Sequence, residues 1–273
     1  MEAVQAEWSA YGGRLAAAAG SVVGNHYHEN YDVLHLDSAY PLAVVADGMG
    51  RGPGSTLAGR TAVDAFVREV RSIVGADAPA APGTLRDAVT RVQREVTEVG
   101  RLLSGLTGCT LTAFLTDPYG GPAAERCRES AADRDATGDA WIVQLGDSRV
   151  YRLRRGLLEL LTIDHTVAWL GVTHGWFAAD SPEAHRARYR LTRYVGHPDQ
   201  PESDLLHVGL RPGDMFLVCT DGVADQVSYH DLGTILGTAG DPPDAVQAIL
   251  DATLQAGGAD NATAVVVSVG ENQ

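Results

Sequence analysis

The chain has few cysteines, no surplus of basic residues and no long hydrophobic run. Cys109, Cys127 and Cys219 are three in 273 residues, an odd number without CxxC spacing. That argues against a zinc ribbon or a disulfide framework and points to a reducing cytoplasm. A net charge of −14 argues against a general nucleic-acid or membrane-surface binder, either of which needs a basic footprint. No apolar run approaches the roughly 18 residues of a membrane span. The opening MEAVQAEWSAYGGRL is polar and mixed, so no secretory leader is expected, and no period of about 20–50 residues marks a solenoid. What is present is a chain that is 45% hydrophobic, enough for a sizeable core. The expectation is one domain over residues 1–273, located in the cytoplasm.

Periodicity divides the chain. Residues 17–46 read as strands and short turns, LAVVA (42–46) most clearly. Residues 57–74 switch to helical spacing, with Val63, Phe66, Val67, Val70 and Val74 on one stripe. The breaker GADAPAAPG (75–83) precedes a second helical stripe of Leu85, Val89, Val92, Val96, Val99 and Leu103. TLTAFLT (110–116) is a strand, and the polar residues 117–139 read as a long flexible hairpin loop with solvated acids. Strands resume at AWIVQLG, RVYRLRR and LLELLT; residues 165–190 suit a surface flap; LHVGL and MFLVCT are strands. YHDLGTIL and PPDAVQAILDATLQAG are helices, and ATAVVVSVG is a buried strand. Helices and strands come in blocks rather than alternating singly, so the order predicts an α+β layered fold with mostly antiparallel strands.

Several apolar runs end or begin on an acid beside Gly or Asn: VVADGMG at Asp47, FLVCTDG at Asp221, WIVQLGDSR at Asp147, ENYDVL at Asp32 and GGADNAT at Asp260. A buried unpaired carboxylate is too costly to keep. A single Asp-Gly exit is ordinary turn chemistry; five together suggest a cluster that is tolerable only with cations. Oxygen-only donors select Mg²⁺ or Mn²⁺ over zinc. Cys109 and Cys219 read as small core residues. Trp8, Trp169 and Trp176 read as packing residues.

The ordered set NYD, ADGMG, GCT, GDSR, LTIDHT, LTRYVG, CTDGVAD and GGADNAT resembles the metal-dependent type 2C protein phosphatases, the PPM family, in their bacterial branch. The resemblance runs from about residue 17 to about residue 269. It implies a four-layer α-β-β-α sandwich of two mostly antiparallel sheets with a metal cluster at one edge. It implies that Asp47 bridges two Mn²⁺ or Mg²⁺ ions, that the Gly48 carbonyl completes the second site, that Asp221 and Asp260 hold the first ion, and that Asp32 organises the second ion's water. A third ion would use Asp147 with Asp221. The implied catalytic set is Asp47, Asp221 and Asp260, and the implied reaction is hydrolysis of phosphoserine or phosphothreonine in proteins by a metal-bridging hydroxide. Asp164-His165 would fix the base of the flap.

The chain departs from the family at three places. The arginine expected three residues before the NxD asparagine is Tyr27, flanked by His26 and His28; the acid expected before Asp32 is Tyr31; and the last glycine of the metal turn is Arg51. Arg51, His26 and His28 are therefore the candidate phosphate-binding residues, each with a solvated surface role as the alternative. Met49 stands where the eukaryotic branch has a proton-donating histidine. The readings that follow are an active phosphatase acting on phosphoprotein targets of serine/threonine kinases, or a module that keeps the fold, binds phosphoproteins and has lost turnover. A two-metal nuclease is disfavoured by charge and motif order.

Overall fold

A computed structural model describes residues 4–10, 13–50, 52–76, 80–103, 107–116 and 138–270. Strands β1 (Val4–Ala10), β2 (Gly13–Val22), β3 (Asp32–Leu36) and β4 (Leu42–Asp47) lead into helices α1 (Pro53–Gly75) and α2 (Pro82–Gly100). Next come β5 (Leu111–Thr116), β6 (Gly138–Leu145), β7 (Arg149–Arg154) and β8 (Leu157–Leu160), then helices α3 (Val167–Thr173) and α4 (Pro182–Ala187). The chain continues through β9 (Asp204–Leu210), β10 (Met215–Cys219), α5 (Asp221–Ala224), α6 (Tyr229–Thr238), α7 (Pro242–Gln255) and β11 (Ala262–Val269).

The strands form two sheets, β1-β2-β11-β10-β7-β8 and β3-β4-β5-β6-β9, and the pairings within both are antiparallel. Strand alternation shows how the layers stack. Val44 and Ala46 face α1 and α2, whereas Ala43 and Val45 face the other sheet. On β11, Val265 and Val267 point between the sheets, and Ala264 and Val266 point at α6 and α7. Side chains on both faces are therefore buried, which explains the continuous apolar runs of these central strands. Phe114 and Phe216 meet between the sheets with ring centroids 5.1 Å apart. The result is the expected α-β-β-α order.

Local differences have local causes. The sheet starts earlier than residue 17: β1 hides Ala6 and Trp8 by simple alternation, and the Trp8 indole N–H donates to the Asp37 carbonyl at 2.9 Å. Trp169 and Trp176 do not pack inside; they are 45% and 65% exposed in the 165–190 segment. That segment holds two short helices capped by Thr166 and Ser181. Residues 117–137 lie outside the described residues. Asp139 is not solvated: it sits within β6 at 5% exposure. Among the described residues no helix is long and apolar enough to cross a membrane.

Candidate metal centre

Each acid singled out in the sequence is placed by a strand end, and these ends share one edge of the sandwich. Asp47 ends β4, and Asp32 begins β3 directly opposite it in register. Asp221 follows β10 as the first residue of α5. Asp147 occupies the β6–β7 turn, and Asp260 precedes β11. Close backbone contacts explain the glycines. A Cβ on Gly48 would lie 2.6 Å from the Ser55 carbonyl, and one on Gly222 would lie 1.9 Å from the Asn261 carbonyl. Only glycine lets these turns press together.

Asp47, Gly48, Asp147, Asp221 and Asp260 line a cavity of about 300 Å³, together with Tyr27, Tyr31, Met49 and Asn261. Asp32 is buried behind it, and Thr220 and Thr263 hydroxyls donate to its Oδ2 at 2.8 and 2.7 Å. Burial, opposed by these two bonds and reinforced by the charges of Asp221 and Asp260, raises the Asp32 carboxyl to about 7. Burial and then neighbouring acids push Asp47, Asp147 and Asp221 well above the carboxylate range. No arginine or histidine is among the described residues lining the cavity. Asp221 Oδ1 is buried without a hydrogen-bond partner among the described residues.

An orphaned carboxylate oxygen in an oxygen-only set of mutually repelling acids fits a hard divalent cation. Among the described residues no three acidic, histidine or cysteine side chains are already grouped as ligands of one ion. Asp47 and Asp221 instead face each other as neighbouring acids, and the charge of Asp47 adds to the rise of Asp221.

A layer of hydroxyls and amides behind the acids escaped the sequence reading. Thr110 Oγ1 accepts the Asp47 N–H at 2.9 Å and bonds the Ser148 hydroxyl at 2.8 Å. Asn261 accepts the Tyr31 N–H and donates to the Glu29 carbonyl, so it ties the NYD turn to the loop carrying Asp260. The available signal was a polar residue at the end of an apolar strand, as in CTD, GCT and DNAT.

The phosphate-binding candidates fare differently. His26 and His28 are exposed, and neither lines the cavity. The turn closed by the Tyr27 N–H donating to the Gly24 carbonyl brings Tyr27 to it instead, with its hydroxyl donating to Asp260 Oδ2 at 3.3 Å. Tyr31 meets Tyr27 edge-on, with centroids 6.1 Å apart. Arg51 lies outside the described residues. Asp164 and His165 sit at the base of the 165–190 segment. Asp164 takes a two-point ion pair from Arg149, and the His165 backbone carbonyl accepts the Thr192 N–H.

The fold and this edge of acids are those of a known family. The family model "Protein phosphatase 2C" matches residues 27–264, and the chain belongs to that family. It is 30% identical over 240 residues to the serine/threonine protein phosphatase PstP of Mycobacterium tuberculosis, covering 85% of this chain and 42% of that protein. The chain thus spans less than half the length of that relative. The solved structure of the PPM Ser-Thr phosphatase MsPP from Mycobacterium smegmatis, in complex with cacodylate, matches with a TM-score of 0.75 and 28% identity, covering 93% of this chain and 98% of that one. The catalytic domain of PstP in complex with two manganese ions matches with a TM-score of 0.73 and 26% identity, covering 94% and 99%.

Proposed function

We propose that this chain is a protein phosphatase that hydrolyses phosphoserine and phosphothreonine in proteins and works with two Mn²⁺ or Mg²⁺ ions. The observation that carries the reading is the cavity itself: four aspartates converge on it from both sheets, and no cation is among the described residues lining it. Family membership supports the same conclusion. Asp47, the Gly48 carbonyl, Asp221 and Asp260 would hold the two ions, Asp32 would act from behind, and Asp147 with Asp221 would serve a third. When bound, such ions supply activation of water near neutral pH and neutralisation of charge on the transferring phosphoryl group.

The chain's own residues set the conditions for that chemistry. Thr220 and Thr263 fix Asp32, Thr110 fixes the Asp47 backbone, and Asn261 fixes the turn beside Asp260. Tyr27 offers a hydroxyl but no charge, so among the described lining residues no guanidinium meets the phosphate, and its capture would lean on the ions. Met49 lines the cavity and has no proton to give. Intact acids at these positions favour turnover over the silent binding module.

The test is manganese-dependent hydrolysis of p-nitrophenyl phosphate and of phosphoserine, phosphothreonine and phosphotyrosine peptides, with chelator-treated protein as control. Turnover of the first two peptides that disappears with chelator is the expected result. No turnover of any substrate at saturating manganese overturns the proposal.

A further inference from the structure

A second cavity, about 380 Å³, lies at another edge of the sandwich, where the segment 161–163 after β8 faces β9. β8 and β9 each end the strand order of their sheet, so the interlayer space is open here rather than closed by a further strand. The volume falls in the range that holds small molecules. Leu161, Ile163, Leu205 and Leu206 give it an aliphatic wall, and Ile163 and Leu206 stay 43% and 38% exposed.

The charged lining is two arginines, Arg86 and Arg193, and two acids, Glu202 and Asp204, and two polar groups stand out. Ser203 lines the cavity at 4% exposure, and its hydroxyl has no hydrogen-bond partner among the described residues, although a buried hydroxyl ordinarily finds one. Arg86 also lines the cavity. Its ion pair among the described residues is a 3.9 Å contact to Glu202, a side chain that is 86% exposed. Arg193, by contrast, is committed to Asp204 at 2.6 and 3.2 Å. Arg86 is the loosely held cation, and Ser203 is the unused donor.

We propose that this cavity is a binding site for small amphipathic carboxylates. The aliphatic body would lie on Leu161, Ile163 and Leu206, and the carboxylate would meet the Arg86 guanidinium, with a side-chain rotation of Ser203 turning its covered hydroxyl toward it. A planar carboxylate suits an arginine fork. The wall is also wired to the acid edge. Gln144 lines the cavity, and its amide nitrogen donates to the carbonyls of Ile163 at 2.9 Å, Gly146 at 3.2 Å and Ser148 at 3.3 Å. The Gly146 N–H in turn donates to His165 Nδ1 at 3.1 Å. Asp147 sits between Gly146 and Ser148, so an occupant pressing on Ile163 is felt at its turn. Only the significance of that coupling rests on the phosphatase reading; the binding site does not.

The experiment is an amide-resolved NMR titration of the whole chain with hexanoate, with hexan-1-ol and hexylammonium as controls. Saturable millimolar shifts at Ser203, Ile163, Gly146 and Ser148 are expected with hexanoate, and weaker or no response with the other two. Arg86→Gln, a change at a half-exposed side chain, should weaken hexanoate about tenfold, the loss of one charge-assisted contact. Leu206→Asp should abolish binding, and an unaltered spectrum of each free variant verifies its fold. No saturable shift, equal binding of hexylammonium, or unchanged affinity in Arg86→Gln overturns the site. Shifts confined to Ser203 and Ile163 overturn the coupling to Asp147 and are independent of any turnover assay.

Discussion

The two ends of the same strands carry acids in opposite states. β3 begins at Asp32 and runs into Asp37; β10 is preceded by Asp214 and followed by Asp221. At the far end, Asp37 accepts the N–H groups of Ala39 and Tyr40 and pairs with Arg71. Burial alone would raise it, yet these partners hold it below the usual carboxylate range. Asp214, at 1% exposure, takes both arms of Arg154 at 2.7 Å and the Arg211 N–H. At the near end, burial raises Asp32 and Asp221, and their charged neighbours, being other acids, add to the rise instead of opposing it. The chain contains no lysine; arginine pairs with the carboxylates at the far end, and none is among the described residues lining the acid cavity. Charge left unpaired is the mark of the functional end.

The largest effect that would sharpen this contrast is Asp221→Asn. Metal assistance is worth several kcal/mol in such reactions, so phosphatase turnover should fall by about a thousandfold. Chelator-treated Asp221→Asn should meanwhile unfold in urea at higher concentration than treated wild type, by roughly 1–2 kcal/mol, since a repelling group is gone. Equal or lower stability of the variant would break the account of the near end as a site of uncompensated charge.

Next in size, Arg154→Met strands Asp214 at the far end. Removing one partner of a buried pair costs about 3–5 kcal/mol, and the low end applies because the Arg211 N–H remains. Urea unfolding measures the loss, with turnover of the folded fraction unchanged; a negligible cost would show that the far-end pair is ornamental.

Asn261→Ala and Thr263→Ala loosen the layer behind the acids. Calorimetric manganese affinity should drop by about 10–100-fold, as for other outer-shell partners, with near-normal melting. Loss of stability with unaltered metal uptake would reassign these residues to the core.

The smallest effect concerns His165. Burial lowers it from 6.5, although Asp204 opposes the shift, so the neutral ring accepts from Gly146 and contacts Asp204 through Nε2. Below about 6.5 the unfolded chain binds the extra proton and the folded one resists it. This contribution to stability is complete above pH 6.5 and declines as pH falls. Comparing wild type with His165→Asn across pH 5–7.5 should show a shallower slope in the variant; parallel curves would refute it.

Much of the fold was legible along the chain. The stripes of α1 and α2, the breaker between them and the run LAVVA report burial through local period alone, and antiparallel layering follows from their order. Trp8 shows the limit: β1 is half-exposed, and its alternation is too thin to be heard. Asp32, Asp47, Asp147, Asp221 and Asp260 were legible as acids at strand ends; Asp37 and Asp214 hold similar places beside strands and were not singled out, and Asp139 was read as a solvated loop acid. Asp139 in TGDAW gave no sign that it was buried. His26 and His28 looked like phosphate ligands beside Tyr27, until the turn carried the tyrosine to the cavity.

The sequence by itself determined which residues are apolar at which period, hence the elements and their layers, because burial of a strand or helix face is written in neighbours two to four positions away. It also supplied the acids. Only the tertiary structure decided which acids meet arginine and which meet one another. A carboxylate's state depends on what lies within a few ångströms, and those groups arrive from far along the chain: Arg71 lies 34 residues from Asp37, and Thr263 lies 231 from Asp32.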